Sequence, residues 1–202
     1  MAISASDIAK LRKHTGAGMM DCKKALNETN GDFDAAVDFL RKQGQKVSAK
    51  RADKEATEGV VVAKTTSDKK TGTIIEVNCE TDFVAKNDDF IQFTQKIADV
   101  AINEKPNDLE GLFKSKMGNL TVKENVEEQM SKIGEKIELS SYQMINAELV
   151  VPYIHMGNKI GVLVGFNQQG GDVEATGKDI AMQIAAMNPV ALDKEGVPQE
   201  VI

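Results

Sequence analysis

Side chains that could carry covalent or acid–base chemistry are few and scattered in this sequence. The chain has two histidines, His14 and His155, and two cysteines, Cys22 and Cys79. The histidines fall in what we predict to be different domains, so a Cys–His or Ser–His pair would require distant segments to converge. The cysteines form no zinc or redox motif, and each lies in an apolar pattern that favours burial. These residues favour an interaction protein over an enzyme.

Glycine-rich and acidic stretches do not predict a nucleotide or metal site. Residues 157–161, Gly-Asn-Lys-Ile-Gly, have the wrong spacing for a Walker A loop and join two predicted strands. Residues 16–18, Gly-Ala-Gly, do not follow a strand, as a dinucleotide-binding fingerprint would. Asp88 and Asp89 could approach a metal ion, but acids are favoured at any helix N-terminus. We therefore expect no catalytic residue, metal site or cofactor.

The stretch with the strongest functional signal runs from Cys79 to Asn87. Before it, residues 73–79 alternate in a way that predicts a strand, and after it, apolar residues from Asp88 to Ile102 recur at helical spacing. Asp82 and Phe83 therefore lie at a strand-to-helix corner, where a rigid scaffold can hold side chains outward. Two interpretations of Phe83 are open on these residues: it packs back onto the helix as a core residue, or it points outward to bind.

Two long blocks resemble a known family. Residues 79–88, CETDFVAKND, resemble the signature of elongation factor Ts, the nucleotide-exchange partner of elongation factor Tu. Residues 14–26, HTGAGMMDCKKAL, match the same family at the right distance upstream. Weaker similarities lie at residues 132–135, 153–157 and 160–164. Two long blocks in the right order are a far more specific signal than a short pattern.

The resemblance implies that the chain is a guanine-nucleotide exchange factor in translation elongation. It would bind elongation factor Tu carrying GDP and promote GDP release by disturbing the magnesium and phosphate site. The family's exchange motif maps onto Thr81, Asp82, Phe83 and Val84. Phe83 would wedge into an apolar slot of the GTPase, and Asp82 would disturb the metal site electrostatically.

The resemblance also implies further contacts with elongation factor Tu. In the family, the N-terminal helical module resembles ubiquitin-associated domains and grips the partner's G domain. The matching positions here are Arg12, Met19, Met20 and Lys23, and looser matches are Ile133, Gly134 and His155. Adjacent residues lie about 100° apart around a helix, so Met19 and Met20 cannot both point at the centre of a small bundle. The alternatives are that both methionines border the core, and that His155 is an ordinary strand residue near a hairpin end.

The hydrophobic pattern predicts an α+β fold with an N-terminal three-helix bundle. Residues 1–45 should form the bundle, with a capping box at Ser4–Asp7 and a third helix ending at Gly44. Residues 46–57 are predicted to be a basic linker, either an exposed loop or a loosely held helix into which the end of the third helix could run. Residues 58–202 should form an antiparallel sheet with helices packed on one side, including a strand at residues 160–166 buried on nearly both faces.

Composition limits the possible partners and location. The net charge of −6 argues against direct nucleic-acid binding. The N-terminus lacks a signal-peptide pattern and no apolar run approaches the length of a membrane span, so we expect a cytoplasmic protein that does not contact membranes.

The length of the chain departs from the family pattern. Long family members continue into a second core half, which is absent here, and short members supply that half by dimerising. The sequence is therefore either a short member and possible homodimer or a piece of a longer protein, and the tail after Pro189 favours the second.

Two other functions remain open on the sequence. A ubiquitin-associated-like adaptor would act through residues 1–45 without exchange activity. A small enzyme would need Cys79, Asp82 and His155 to converge.

Overall fold

The computed structural model describes residues 3–51 and 53–201. The α-helices are α1 (Ala5–Thr15), α2 (Met19–Glu28), α3 (Phe33–Arg51), α4 (Asp82–Ala85), α5 (Asp88–Glu104), α6 (Leu109–Lys114), α7 (Val122–Ile133) and α8 (Val173–Met187). The strands are β1 (Glu58–Thr65), β2 (Thr71–Cys79), β3 (Lys116–Met117), β4 (Leu120–Thr121), β5 (Ile137–Asn146), β6 (Leu149–Ile154) and β7 (Gly161–Phe166). Two short 3₁₀ turns, Lys194–Gly196 and Gln199–Val201, follow α8.

The N-terminal bundle follows from local signals that the sequence carries. Ser4 and Asp7 form the predicted capping box, with hydrogen bonds of 3.1 Å in both directions. Gly16 adopts the left-handed conformation, with φ at 68°, and ends α1. The core of the bundle is small and fully buried: Leu11, Cys22, Ala25, Leu26 and Ala36.

The predicted end of the third helix is wrong. Helix α3 continues past Gly44 to Arg51 and so takes in the first half of the predicted basic linker. A Cβ atom at Gly44 would lie 3.2 Å from Ser131 Cβ, so this glycine permits a close approach of α3 to α7 instead of ending the helix. The division of the chain at residues 45 and 57 stays a prediction.

Strand β2 is the centre of a three-stranded antiparallel sheet in the order β1-β2-β5. Val60 of β1 pairs with Val77 of β2, and Cys79 of β2 pairs with Ile137 of β5. The inward residues Ile75, Val77 and Cys79 are at most 1% exposed, as the alternation predicts. Helix α5 covers this face through Phe90, Ile97 and Ala101, and α6 and α7 complete the core.

The second face of the sheet is covered by the β6–β7 hairpin. Cβ atoms at Gly72 and Gly161 would clash, at 2.5 Å from Val150 and 2.6 Å from Val61, so both glycines let the hairpin lie close against the sheet. Helix α8 packs on the outer side of the hairpin. The molecule is thus the expected α+β fold, with a stacked hairpin that the sequence did not place.

The prediction that residues 160–166 are buried on nearly both faces is wrong. Strand β7 begins at Gly161, and none of its residues is fully buried. Within the described chain β7 pairs only with β6, so its other edge lies open. In the described parts of the chain, no helix combines the length and the apolarity needed to cross a bilayer.

Core packing predicts a sharp contrast between two phenylalanines seven positions apart. Phe90 is 1% exposed and Phe83 is 83% exposed. Phe90→Ala should lower the free energy of unfolding by about 3–5 kcal/mol, whereas Phe83→Ala should change it by about 0.5 kcal/mol or less. Urea unfolding monitored by circular dichroism measures both. A comparable loss for the two variants would mean that Phe83 is part of the core.

Both cysteine thiols should be unreactive in the folded protein. Cys22 and Cys79 are buried, and burial raises the pKa of each thiol; for Cys79 the value rises from 9.0 to about 11. A rise of that size lowers the thiolate fraction about a hundredfold, and the thiolate is the reactive form. Iodoacetamide at pH 8 should therefore label both residues rapidly only in denaturant. Fast labelling of native Cys79 would contradict its placement at the end of β2.

Candidate functional site

The corner, residues 79–85, joins β2 to α5 through the single helical turn α4. Thr81 caps this turn: its Oγ1 accepts a hydrogen bond from Val84 N at 3.5 Å. Ala85 is buried and Val84 packs against the core, so the turn is attached by its inner side. Phe83 points away from that attachment into solvent. The interpretation of Phe83 as a core residue is therefore wrong, and its binding role stays a prediction.

Asp82 is a half-exposed, ionised carboxylate beside Phe83. Its Oδ2 lies 2.6 Å from Lys86 Nζ, and this hydrogen bond and the lysine charge hold the pKa of Asp82 below its usual range. Lys159 contributes a smaller stabilisation from the β6–β7 turn, where its Nζ pairs with Glu58 Oε2 at 2.6 Å. The corner thus presents a fixed negative charge next to a large apolar ring.

An open groove lies beside Phe83, between the corner, α5 and α7. Its volume is about 560 Å³, and its apolar lining includes Phe83, Val84, Phe90, Phe93 and Ile133. Gly134 follows at once and ends α7 in the left-handed conformation, with φ at 80°. The fold therefore brings the predicted residues Ile133 and Gly134 to the predicted exchange motif, although about fifty residues separate them in the sequence.

The four predicted gripping residues lie on the outside of the bundle. Met19 and Met20 are 59% and 74% exposed, so most of each side chain lies outside the bundle core, and the alternative that they border the core stays open. Arg12 and Met19 line a shared shallow depression between α1 and the start of α2. Lys23 is exposed on α2. The result is a flexible apolar surface with basic neighbours.

His155 lies at the end of the β6–β7 hairpin, immediately after β6. It is exposed, and its Nδ1 lies 2.9 Å from the Tyr153 hydroxyl oxygen. This position agrees with a partner contact and equally with an ordinary residue near a hairpin end.

The alternative of a small enzyme built from Cys79, Asp82 and His155 would need a reactive Cys79 thiol. The buried Cys79 thiol donates to Thr81 O at 3.2 Å, and its raised pKa keeps it protonated. Among the described residues, no cluster of three or more His, Cys, Asp and Glu side chains could hold a metal ion.

Sequence reasoning missed three side chains that hold the corner: Arg51, Glu80 and Glu135. Glu80 accepts hydrogen bonds from Arg51 Nη1 and from Lys136 N, and Glu135 accepts from Thr81 N and Oγ1. Both acids lie inside or beside motif blocks, but their partners are 29 to 56 positions away. Only the pairing of β2 with β5 and the extension of α3 bring these groups together, so the sequence held no local signal for them.

Comparisons with known proteins identify the family. A family model described as elongation factor TS matches residues 80–202. Elongation factor Ts of Amoebophilus asiaticus is 53% identical over 203 residues, covering 100% of this chain and 73% of that protein. Elongation factor Ts of Christiangramia forsetii is 50% identical and covers 99% of this chain and 72% of that protein. Elongation factor Ts of Bacteroides thetaiotaomicron is 48% identical and covers 100% of this chain and 60% of that protein. The relatives are thus longer than this sequence, and their similarity extends through the N-terminal bundle as well as the core: the chain belongs to the elongation factor Ts family.

Proposed function

We propose that this chain binds elongation factor Tu carrying GDP and promotes GDP release, acting as a guanine-nucleotide exchange factor in the cytoplasm. The observation that carries the proposal is that an exposed Phe83 and an ionised Asp82 lie next to each other on a rigid corner. Membership of the elongation factor Ts family supports this role. The role requires binding and displacement only, without a covalent step or a cofactor of the chain's own.

Phe83 is suited to act as a wedge. A phenyl ring that is 83% exposed in the free protein gains about 1.5–3 kcal/mol when a partner buries it fully. Its backbone is fixed by the Thr81 cap and by the buried Ala85, so little conformational freedom is lost on binding. Insertion of the ring would shift the GTPase elements that hold magnesium and the phosphates.

Asp82 would act on the same site through charge. Bound Mg²⁺ provides much of the positive charge that holds a diphosphate, so a carboxylate that draws the ion away weakens nucleotide binding. The pKa of Asp82 is lowered by Lys86, so the side chain is charged throughout the neutral range. The exchange factor must bind the nucleotide-free GTPase more tightly than the nucleotide-bound one. Bound nucleotide must then lower the affinity of the GTPase for the exchange factor by the same factor.

The N-terminal bundle and the groove would supply affinity. Arg12, Met19, Met20 and Lys23 form the gripping surface in this proposal, with Ile133, Gly134 and His155 as additional contacts. Methionine side chains adapt to a partner surface because they are unbranched and polarisable. An adaptor that acts through residues 1–45 alone would use the same methionines, but it would leave Phe83 without a role.

Removing both exposed methionines should weaken the complex without unfolding the bundle. Met19→Ala combined with Met20→Ala deletes apolar contact area that lies in solvent in the free protein. We expect a lower affinity for elongation factor Tu by isothermal titration calorimetry and an almost unchanged melting temperature. The control is Met130→Ala, because Met130 is 6% exposed in the core and its truncation should cost about 2–5 kcal/mol of stability. A stability loss of that size in the double variant would place Met19 and Met20 in the core.

Phe83 and Asp82 should affect different steps of exchange. Phe83→Ala should reduce both complex formation and the rate of labelled GDP release. Asp82→Ala should bind nearly normally and act mainly on release, and its defect should shrink in excess chelator, because the magnesium has then already left.

Stopped-flow GDP release at high magnesium and in excess chelator tests this difference. Asp88→Ala, which removes an exposed acid six residues away, is the matched charge control. An Asp82→Ala defect of equal size under both conditions would eliminate the magnesium role. Normal release by Phe83→Ala would favour the adaptor.

A further inference from the structure

We propose that Glu135 and Glu80 are positioning residues, which fix the corner that carries Asp82 and Phe83 against the end of α7 and the end of α3. This inference rests on the proposed exchange function and extends it to two residues that do not themselves reach the surface occupied by Phe83.

The two acids make a reciprocal pair of links between the corner and the α7–β5 junction. Glu135 accepts from Thr81 N at 3.1 Å through one carboxylate oxygen and from Thr81 Oγ1 at 2.8 Å through the other. In the opposite direction, Glu80 accepts from Lys136 N at 2.5 Å. Each segment thus contributes one carboxylate and one backbone N–H, so the corner cannot move relative to the junction without breaking charge-assisted hydrogen bonds.

Glu80 extends the link to the N-terminal bundle. Arg51, the last residue of α3, places Nη1 at 2.7 and 2.9 Å from the two Glu80 oxygens. The hydrogen bond from Lys136 N and the arginine charge hold the pKa of Glu80 below its usual range. The Glu80 side chain is 19% exposed and that of Arg51 34%, so the pair is shielded more than most surface ion pairs.

These links set the spacing between the proposed contact residues. Glu135 directly follows Gly134, and Ile133 lines the same groove as Phe83. The bonds from Glu135 to Thr81 therefore fix the distance across that groove, and the Arg51–Glu80 pair fixes the corner relative to the helix bundle that carries Met19 and Met20. A partner that contacts all these surfaces at once gains from their being held in advance.

The chemistry of glutamine, aspartate and alanine separates positioning from charge. Glutamine at residue 135 can accept from Thr81 N with its carbonyl and donate to Thr81 Oγ1 with its amide, so Glu135→Gln keeps both bonds. Aspartate keeps the charge, but it is one methylene shorter and cannot span both. We expect Glu135→Gln to retain GDP release within about twofold, and Glu135→Asp and Glu135→Ala to reduce it about tenfold, the factor for about one hydrogen bond.

The decisive experiment measures GDP release from elongation factor Tu at saturating concentrations of each variant, alone and combined with Phe83→Ala. If Glu135 acts by positioning Phe83, Glu135→Asp should add little to the defect of Phe83→Ala. Glu138→Ala is the matched control, because it removes a nearby exposed glutamate that pairs with the Lys136 side chain, at 3.3 Å from Nζ, and not with the Lys136 backbone N–H. Fully additive defects, or equal activity of the aspartate and glutamine variants, would overturn the proposal.

Hydrogen exchange of single amides tests the links without the partner. Glu135→Asp should speed exchange of the Thr81 amide about tenfold, and Glu80→Ala should do the same for the Lys136 amide, while the amides of Ile75 and Val77 keep wild-type rates. Unchanged exchange at Thr81 and Lys136 would overturn the proposal even if release were impaired. Failure of the proposed function would give a different result from failure of the positioning role. The wild-type chain would then not accelerate GDP release, whereas the changes in amide exchange would still appear.

Glu80→Gln separates the two links of Glu80. Its amide carbonyl, in the place of Oε1, can still accept from Lys136 N, but its NH₂ group stands where Oε2 accepted from Arg51 Nη1, and the negative charge of the ion pair is lost. Arg51→Met breaks the same pair from the other side. The two variants and their combination should reduce the affinity for elongation factor Tu by the same factor, because they remove one interaction. Independent, additive effects would show that the Arg51–Glu80 pair does not couple the bundle to the corner.

Discussion

The immobilisation of strand β2 is the constraint on which the rest of the molecule depends. Both edges of β2 are hydrogen-bonded, to β1 and to β5, one face lies on α5, and the other is covered by the β6–β7 hairpin. Its last residue, Cys79, is fully buried and donates its thiol hydrogen into the corner. The direction in which the chain leaves the sheet is therefore fixed before the corner begins. A one-turn helix is too short to be stable alone, and here it takes its position from the strand that precedes it.

Polar contacts add to the core in holding the corner, and they are of two kinds, partly shielded and solvent-exposed. The bonds of Glu80 and Glu135 are partly shielded and join segments far apart in the sequence, so they hold the backbone of the corner in place. The Asp82–Lys86 pair lies at the surface four residues apart, and pairs of this kind contribute little to stability. In the proposed function, Asp82 would exchange Lys86 for a partner's cation at small cost, while the backbone beneath it stays fixed. A fixed backbone that carries a carboxylate with a weakly held partner is suited to the local perturbation of a metal site that we propose.

Patterns within about ten residues predicted much of this fold, because they depend on backbone periodicity and capping. The Ser4 capping box and the alternation of Ile75, Val77 and Cys79 are both in place. The failures involve distant partners. Gly44 resembled a helix end, but it faces Ser131 of α7, and β7 resembled a central strand, but it packs in a hairpin with one open edge. The exposure of Phe83 could not be decided from its neighbours either, because Phe83, Val84 and Ala85 are all apolar. Only the structure shows that Val84 and Ala85 fill the inner side of the turn.

The exposed apolar residues of the two proposed contact surfaces differ in stiffness, and this difference suggests different roles. Met19 and Met20 have several rotatable bonds each, so they adapt to a surface but lose side-chain entropy when they bind. Phe83 has two side-chain torsions on a capped turn, so it loses less freedom and can transmit force to what it touches. A flexible surface suits affinity that tolerates movement of the partner, whereas a stiff ring suits displacement of a particular element. A GTPase that changes shape as its nucleotide leaves would need both, the first to remain bound and the second to drive the change.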